Sequence, residues 1–468
     1  MKKITIAALL LFTSLSFGQA LVEDTTFNMG TGFTNWSGFG SVTVNKATLQ
    51  PDGKILVAGQ YINYNGNAVN CIVRLNSNGT LDNTFTPGTG TNAGIWGCKV
   101  LSDGKILIHG GFTAYNGVAS NRIVRLNANG TKDTSFAIGT GPSDYVETAV
   151  VQPDGKMILG GRFTSYNGTA VNRICRINAN GTLDNTFTVG VGANERIREV
   201  ALQPDGKIIV VGDFTEYSGV TVGRIVRLNA NGSVDTTFNS GGSGALSKIW
   251  TVKLQPDNKI LIGGEFQAYN GTAAKRIARL NTNGLLENAA FNTANAANST
   301  VMTIFVENNG QIIIGGSFNA YGNVGRSNFA RINADATLDT SFTIGTGFDN
   351  WVNSIERQTD GKLLLGGNFT TFDGNAKNRI IRFTSGTMGN EQFDIASIAV
   401  YPNPATDNLS VSNIEAIGDY TITDLNGRIV EQNTAKGNSI GVSSLRSGIY
   451  LLSFTKDGRA VTQKFIRN

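Results

Sequence analysis

Histidine is almost missing from this 468-residue chain: His109 is the only one. A serine–histidine–acid triad or a histidine metal site would have to be built on it, and the sequence indicates no partner. Cysteine is scarce too. Cys71, Cys98 and Cys175 are an odd set without a Cys-x-x-Cys pair, which excludes a disulfide framework and a zinc knuckle. They are expected to be buried free thiols acting as small apolar residues. Charged residues make up 16% of the chain, against roughly a quarter in ordinary soluble domains. Of the formal net charge of +5, two units are Lys2 and Lys3, so the remainder is close to neutral. No arginine-rich run exists, and a nucleic-acid partner is not expected. Proline is low, at 8 residues, while glycine is high, at 58. Glycine without proline implies many tight turns in place of a disordered linker, and it disfavours long helices.

Long apolar runs are also lacking, apart from the first segment. Met1-Lys2-Lys3, the apolar stretch Ile4 to Leu15 and the small residues before Ala20 form a secretory signal over residues 1–20, with cleavage expected near Ala20. That stretch is too short to span a bilayer well. No transmembrane segment is expected in the mature chain.

What the sequence does contain is a repeat. A turn of the form Gln-Pro-Asp-Gly-Lys recurs with its glycine position at Gly53, Gly104, Gly155, Gly206, Asn258, Gly310 and Gly361, at spacings of 51 or 52 residues. Each unit opens with an alternating segment, then the turn, then a nearly wholly apolar run ending in Gly-x-Phe, such as Ile106 to Phe112. A polar loop follows (Thr113-Ala114-Tyr115-Asn116-Gly117), then Arg122 to Asn127, an Asn-Gly turn, and a closing Asp-x-x-Phe, here Asp133 to Phe136. Period-two alternation with Asp-Gly and Asn-Gly turns signals antiparallel strands. The continuous apolar run fits a strand buried on both faces. Four strands per unit, seven times over, predict an all-β, seven-bladed β-propeller of about 51-residue four-stranded repeats. The seventh unit ends at Arg382-Phe383-Thr384 without its own Asp-x-x-Phe, and the missing piece sits at the other end of the chain as Asp24-Thr25-Thr26-Phe27. The N-terminal strand is therefore expected to close the last blade, giving a propeller over residues 21–392.

These residues resemble the delta-60 repeats, a bacterial propeller family of unknown function. The motifs that carry the resemblance are Gln-Pro-Asp-Gly-Lys-Ile-x-x-x-Gly-x-Phe and Arg-x-x-Arg-Leu-Asn-x-Asn-Gly, over roughly residues 24 to 384. After Phe393 the repeat stops. Tyr401-Pro402-Asn403-Pro404, Asp424 to Arg428, Ser447 to Leu451 and Lys464 to Arg467 follow in order, and alternating runs at Tyr420 to Leu425 and Tyr450 to Phe454 predict a small β-sandwich. Residues 393–468 resemble the sorting domain of the type IX secretion system. The resemblance implies a Bacteroidetes-type source, the type IX machinery as a partner, passage through the periplasm and across the outer membrane, and a mature protein released or held at the cell surface.

Residues used in every unit read as architecture. The arginines Arg74, Arg125, Arg176, Arg227, Arg279, Arg331 and Arg382 can pair with the aspartate of the fourth strand, for example Asp82 or Asp133. The turn aspartates suit backbone capping and lack the spacing of a calcium loop. No cofactor and no metal are expected. Function should lie where the symmetry breaks, in the variable links between blades. These links and the strand starts beside them hold Trp36, Trp96, Tyr145, Arg196, Trp250 and Trp351, the candidate ligand-binding residues. Aromatic rings at a propeller mouth can stack on sugars or anchor a protein partner, or pack between blades. No catalytic residue is assigned. The favoured reading is a non-catalytic module that binds an extracellular glycan or protein. The alternatives are a polysaccharide-degrading hydrolase or lyase, for which Glu195, Glu199 and Asp349 are loop candidates, and a structural surface protein.

Overall fold

A computed structural model describes residues 19–35, 41–287, 291, 296–384, 400–412, 414–424, 427–456 and 459–468. The body of the signal segment and Trp36 lie outside the described residues. The chain divides into two compact units, residues 1–386 and 387–468.

Every blade of the first unit is built alike, and blade 2 serves for all. Its strands Ile95–Val100, Ile106–Gly110 and Ile123–Leu126 form an antiparallel sheet with the Ile106–Gly110 strand in the middle. That middle strand is buried at every position, as its unbroken apolar sequence requires. In the turn before it, Asp103 Oδ1 accepts from the Lys105 amide at 3.1 Å, and Gly104 takes φ 80°, a left-handed value that glycine adopts without a steric cost. Blade 5 places Asn258 there at φ 63°; asparagine is the residue that best tolerates that region after glycine. The fourth segment joins its blade through a single antiparallel bridge, Leu126 to Lys132 in blade 2. The link beyond it bridges the hairpin of the next blade, as Thr91 does to Tyr115. The seventh such bridge joins Phe383 to Glu23, so the chain's N-terminal segment supplies the fourth segment of blade 7. Among the described residues there is no helix.

The apolar core lies between blades. Leu107 and Ile123 of blade 2 pack with Val146, Met157 and Leu159 of blade 3, and the same arrangement recurs around the ring. Leu364 and Ile380 of blade 7 pack with Val44, Ala47 and Val57 of blade 1. Seven blades thus have seven interfaces, where an open array would have six. Cys71, Cys98 and Cys175 are unpaired and buried in these layers, and burial pushes the Cys98 thiol up to about 12.

The repeated arginine is a rivet between neighbours. Arg125 Nε donates to Asp133 Oδ2 at 2.7 Å, its Nη1 donates to the Ala179 carbonyl of blade 3 at 2.5 Å, and its guanidinium lies 4.8 Å from the Phe136 ring centre. Lys105 adds a 2.9 Å contact to the same carboxylate. Arg382 makes the same pair with Asp24 at 2.8 Å, across the two ends of the first unit. Burial alone would raise the Asp24 carboxyl. The Thr26 hydroxyl, Lys362, the Thr26 amide and Arg382 outweigh that and bring it down to about 2. The carboxyls of Asp82, Asp133, Asp184 and Asp235 are lowered for the same reasons. A carboxyl lowered on folding stabilises above its ordinary value, near 3.8, and that contribution is lost as pH falls toward 2. The urea midpoint is expected to drop steeply below about pH 4 as these carboxyls protonate together; a midpoint unchanged between pH 4 and pH 2.5 would contradict this.

The second unit has a sheet of Val400–Tyr401, Asn408–Val411 and Ser439–Gly441, and a sheet of Ile429–Ala435, Gly418–Asp424, Gly448–Lys456 and Arg459–Arg467 in that order. Leu409, Val411 and Ile440 of the first sheet share one core with Ile422, Leu452 and Phe465 of the second, which makes a two-sheet sandwich.

Candidate functional site: the mouth of the ring

The first strand of every blade carries a β-bulge at one register position. In blade 2 the pairing skips from Ile95 to Gly97, leaving Trp96 without a partner. The skipped residues are Asn45, Trp96, Glu147, Arg198, Trp250, Met302 and Asn353. A bulge breaks the in–out alternation and re-aims one side chain. Here all seven line a single cavity of about 400 Å³, with Arg196, Trp351, Asn368, Gln60 and Thr43 also in its wall. Residues contributed by all seven blades meet only where the blades converge, so this cavity is the mouth of the ring.

Trp96, Arg196, Trp250 and Trp351 are therefore brought together. Trp96 and Trp250 occupy the same register position, whereas Trp351 stands two residues before its equivalent, Asn353. Tyr145 lines an adjoining cavity of about 820 Å³ that it shares with Trp96, their ring centres 6.1 Å apart. Trp36 lies outside the described residues. Sequence reading overlooked Asn45, Glu147, Met302 and Asn353. The signal was present: aligned on the turn glycine, the column eight residues earlier runs Asn, Trp, Glu, Arg, Trp, Met, Asn, while the column before it is always valine or isoleucine.

The two halves of the mouth differ. Toward blades 3 to 5 it is charged and aromatic. Glu147 is held by Arg196 at 2.7 Å and Arg162 at 3.2 Å. Arg198 grips Asp213 through both oxygens, with its Nη2 at 3.0 Å, and its guanidinium lies 3.6 Å from the Trp250 ring centre. That stacking is a strong cation–π geometry. The Trp250 indole N–H donates to Glu265 at 3.0 Å. The Tyr145 ring lies 5.0 Å from the Arg122 guanidinium and 5.4 Å from that of Arg162. Toward blades 7 and 1 the wall is neutral: Asn353 donates to Thr43 at 3.1 Å, and Ser41 to Asn368 at 2.9 Å. Three donors in the wall, Trp96 Nε1, Arg196 Nε and Arg198 Nη1, are buried without a hydrogen-bond partner.

None of the three carboxylates considered for catalysis lines the mouth itself. Glu199 accepts from the Val252 amide at 2.8 Å and pairs with Lys253. Asp349 caps a hairpin through the Thr370 and Thr371 amides at 2.8 and 2.9 Å. Glu195 accepts from the Arg196 amide at 3.3 Å. His109 is buried in its middle strand; its Nδ1 lies 3.0 Å from the Val146 carbonyl of the next blade, which fixes that nitrogen as the donor, and burial pushes its pKa down to about 4.

The seven repeats match the DUF5122 β-propeller domain, a domain of unknown function, over residues 50–85, 101–136, 152–187, 203–238, 255–289, 307–342 and 358–386. The chain belongs to this family. Residues 399–468 match the secretion-system C-terminal sorting domain. This DUF5122 propeller is thus secreted by the type IX system and directed to the outer surface. No curated relative matches the sequence. Among solved structures it is similar to PorZ of Porphyromonas gingivalis, a bacterial surface component of the type-IX secretion system, at 15% identity and a TM-score of 0.43, over 93% of this chain and 60% of that one. It is also similar to the extracellular domain of a hybrid two-component system from B. thetaiotaomicron, at 13% identity and a TM-score of 0.49, over 96% of this chain and 58% of the other. The gluconolactonase XC5397 of Xanthomonas campestris follows at 11% identity and a TM-score of 0.35, over 75% and 99%. The DUF5122 chain spans about three fifths of the length of the first two.

Proposed function

We propose that this DUF5122 propeller is a non-catalytic carbohydrate-binding module that takes its ligand at the mouth of the ring. The observation that carries the reading is the convergence of Trp96, Trp250 and Trp351 with amide and arginine side chains on one cavity. Sugars present apolar C–H faces to aromatic rings and hydroxyls to amides and guanidinium groups, and a concave site with a few placed polar groups suits them. Glycoside hydrolysis needs two carboxyl groups working as a pair, one of them able to deliver a proton. Glu147 is the one carboxylate among the described residues that lines the mouth, and it sits between two guanidinium groups.

Saturable binding of the full chain to members of a broad glycan array is expected. The Trp96→Ala, Trp250→Ala double variant should lose about 10- to 100-fold in affinity, from roughly 1 kcal/mol per stacked ring. Absence of any bound glycan would sink the reading. New reducing ends released from a bound glycan would favour the hydrolase instead.

A further inference from the structure

The mouth opens beside blades 3 to 5 into a hollow of about 430 Å³ lined entirely by charged side chains. Five of them are cations: Arg162, Arg173, Arg196, Arg198 and Lys248. Three are anions, which leaves the lining with an excess of two cations, and Arg162 and Arg196 share Glu147 beside it. Asp213 is bound to Arg198, Asp144 accepts from the Tyr145 amide at 2.7 Å, and Glu195 from the Arg196 amide. Arg196 and Arg198 line both this hollow and the mouth, and Arg162 lines both this hollow and the cavity that holds Tyr145. The three spaces therefore run into one another across the aromatic rings. Arg173 has no ion-pair partner among the described residues, and Lys248 stands 3.9 Å from Glu265, a loose contact.

Arg173 and Lys248 offer this space donors and no acceptors. A neutral sugar offers hydroxyls that donate as often as they accept. A carboxylate or sulfate offers acceptors only, and guanidinium forks match it in both charge and geometry. A hollow with an excess of cations, in which Arg173 and Lys248 are not held in close ion pairs, one step from stacking rings, is a place for the acid substituent of a sugar whose ring lies on the tryptophans.

Resting on the carbohydrate reading above, we infer that the glycan is anionic, a uronic-acid or sulfated polysaccharide whose acid groups sit among Arg162, Arg173, Arg196, Arg198 and Lys248. The test titrates the full chain with polygalacturonate and its methyl ester, and with chondroitin sulfate and its desulfated form, at about 50 and 300 mM NaCl. The acid form of at least one pair should bind about 10-fold or more tighter than its neutralised partner, and high salt should weaken it several-fold. Preference within the first pair assigns a carboxylate, and within the second a sulfate. Arg173→Gln with Lys248→Gln, two positions outside the buried ion pairs, should lower that affinity about 10-fold with no change in melting temperature. Glycans bound on the array that are all neutral, or equal affinity within both pairs, would overturn the anionic assignment and leave the carbohydrate reading standing. No binding to any glycan overturns both.

Discussion

Replacing Asp24 with alanine is expected to cost about 3–5 kcal/mol, because it strands buried charges without a partner. The carboxylate receives Arg382 Nε at 2.8 Å, Lys362 Nζ at 3.1 Å and the Thr26 amide at 3.0 Å, and Arg382 is only 3% exposed. The position matters as much as the pair. Asp24 and Arg382 lie 358 residues apart and join the two ends of the first unit, so their loss loosens the seam where blade 7 meets blade 1. Asp133→Ala removes the equivalent pair from blade 2 and should cost a similar amount, but it leaves the seam intact. Hydrogen exchange separates the two: Asp24→Ala should speed exchange in the Ile380–Phe383 strand and across the Val44 layer, and Asp133→Ala should act only around blades 2 and 3. A midpoint for Asp24→Ala within about 1 kcal/mol of the parent, with unchanged exchange at the seam, would mean the N-terminal segment does not close the ring.

The second large effect is expected inside blade 2. Gly97 pairs with His109 across the first two strands. A Cβ built on Gly97 would lie 2.2 Å from His109 Nε2, and the imidazole is held from its other side by the Val146 carbonyl. Blades 3, 5 and 6 solve the same space in reverse, pairing Thr148 with Gly160, Thr251 with Gly263 and Thr303 with Gly315. Gly97→Thr alone should therefore destabilise by about 3 kcal/mol through overpacking. His109→Gly alone should cost about 2–4 kcal/mol through the cavity it leaves. The double variant rebuilds the arrangement of blades 3, 5 and 6 and should fall within about 1 kcal/mol of the parent, a coupling of several kcal/mol in a double-mutant cycle. Additive losses would show that the two positions do not compensate.

The same residue makes a pH prediction. His109 is held at about 4 against an ordinary 6.5, so between those values the unfolded chain takes up a proton that the folded chain refuses. Stability is therefore full above about pH 6.5 and declines as pH falls toward 4, by up to about 3 kcal/mol. That decline should vanish in the double variant, while the carboxylate-driven loss below about pH 4 remains.

Much of this was legible in the chain. Seven turns at a spacing of 51 or 52 residues and period-two alternation determined the blade number and the order of strands. The Asp-x-x-Phe missing from the end and present at the start determined where the ring closes. The Arg–acid pairing was readable because six units place an acid eight residues after the arginine, Glu287 in unit 5 and aspartate in the others, and the seventh finds its aspartate at Asp24. These features are local, or are set by repetition, and so survive being read along a line. The fourth segment is different: only the folded chain reduces it to one bridge per blade, because the following link pairs with the next blade's hairpin. The composition of the mouth likewise belongs to tertiary structure. Trp96 and Trp250 stood out by their chemistry, but Asn45, Glu147, Met302 and Asn353 are ordinary residues in ordinary strands. A bulge turns each of them out of the alternation, and closure of the ring gathers positions that lie far apart in the chain onto one cavity. Neither the rotation nor the convergence leaves a trace in any single repeat, because both arise from how the strands pair and how the blades meet.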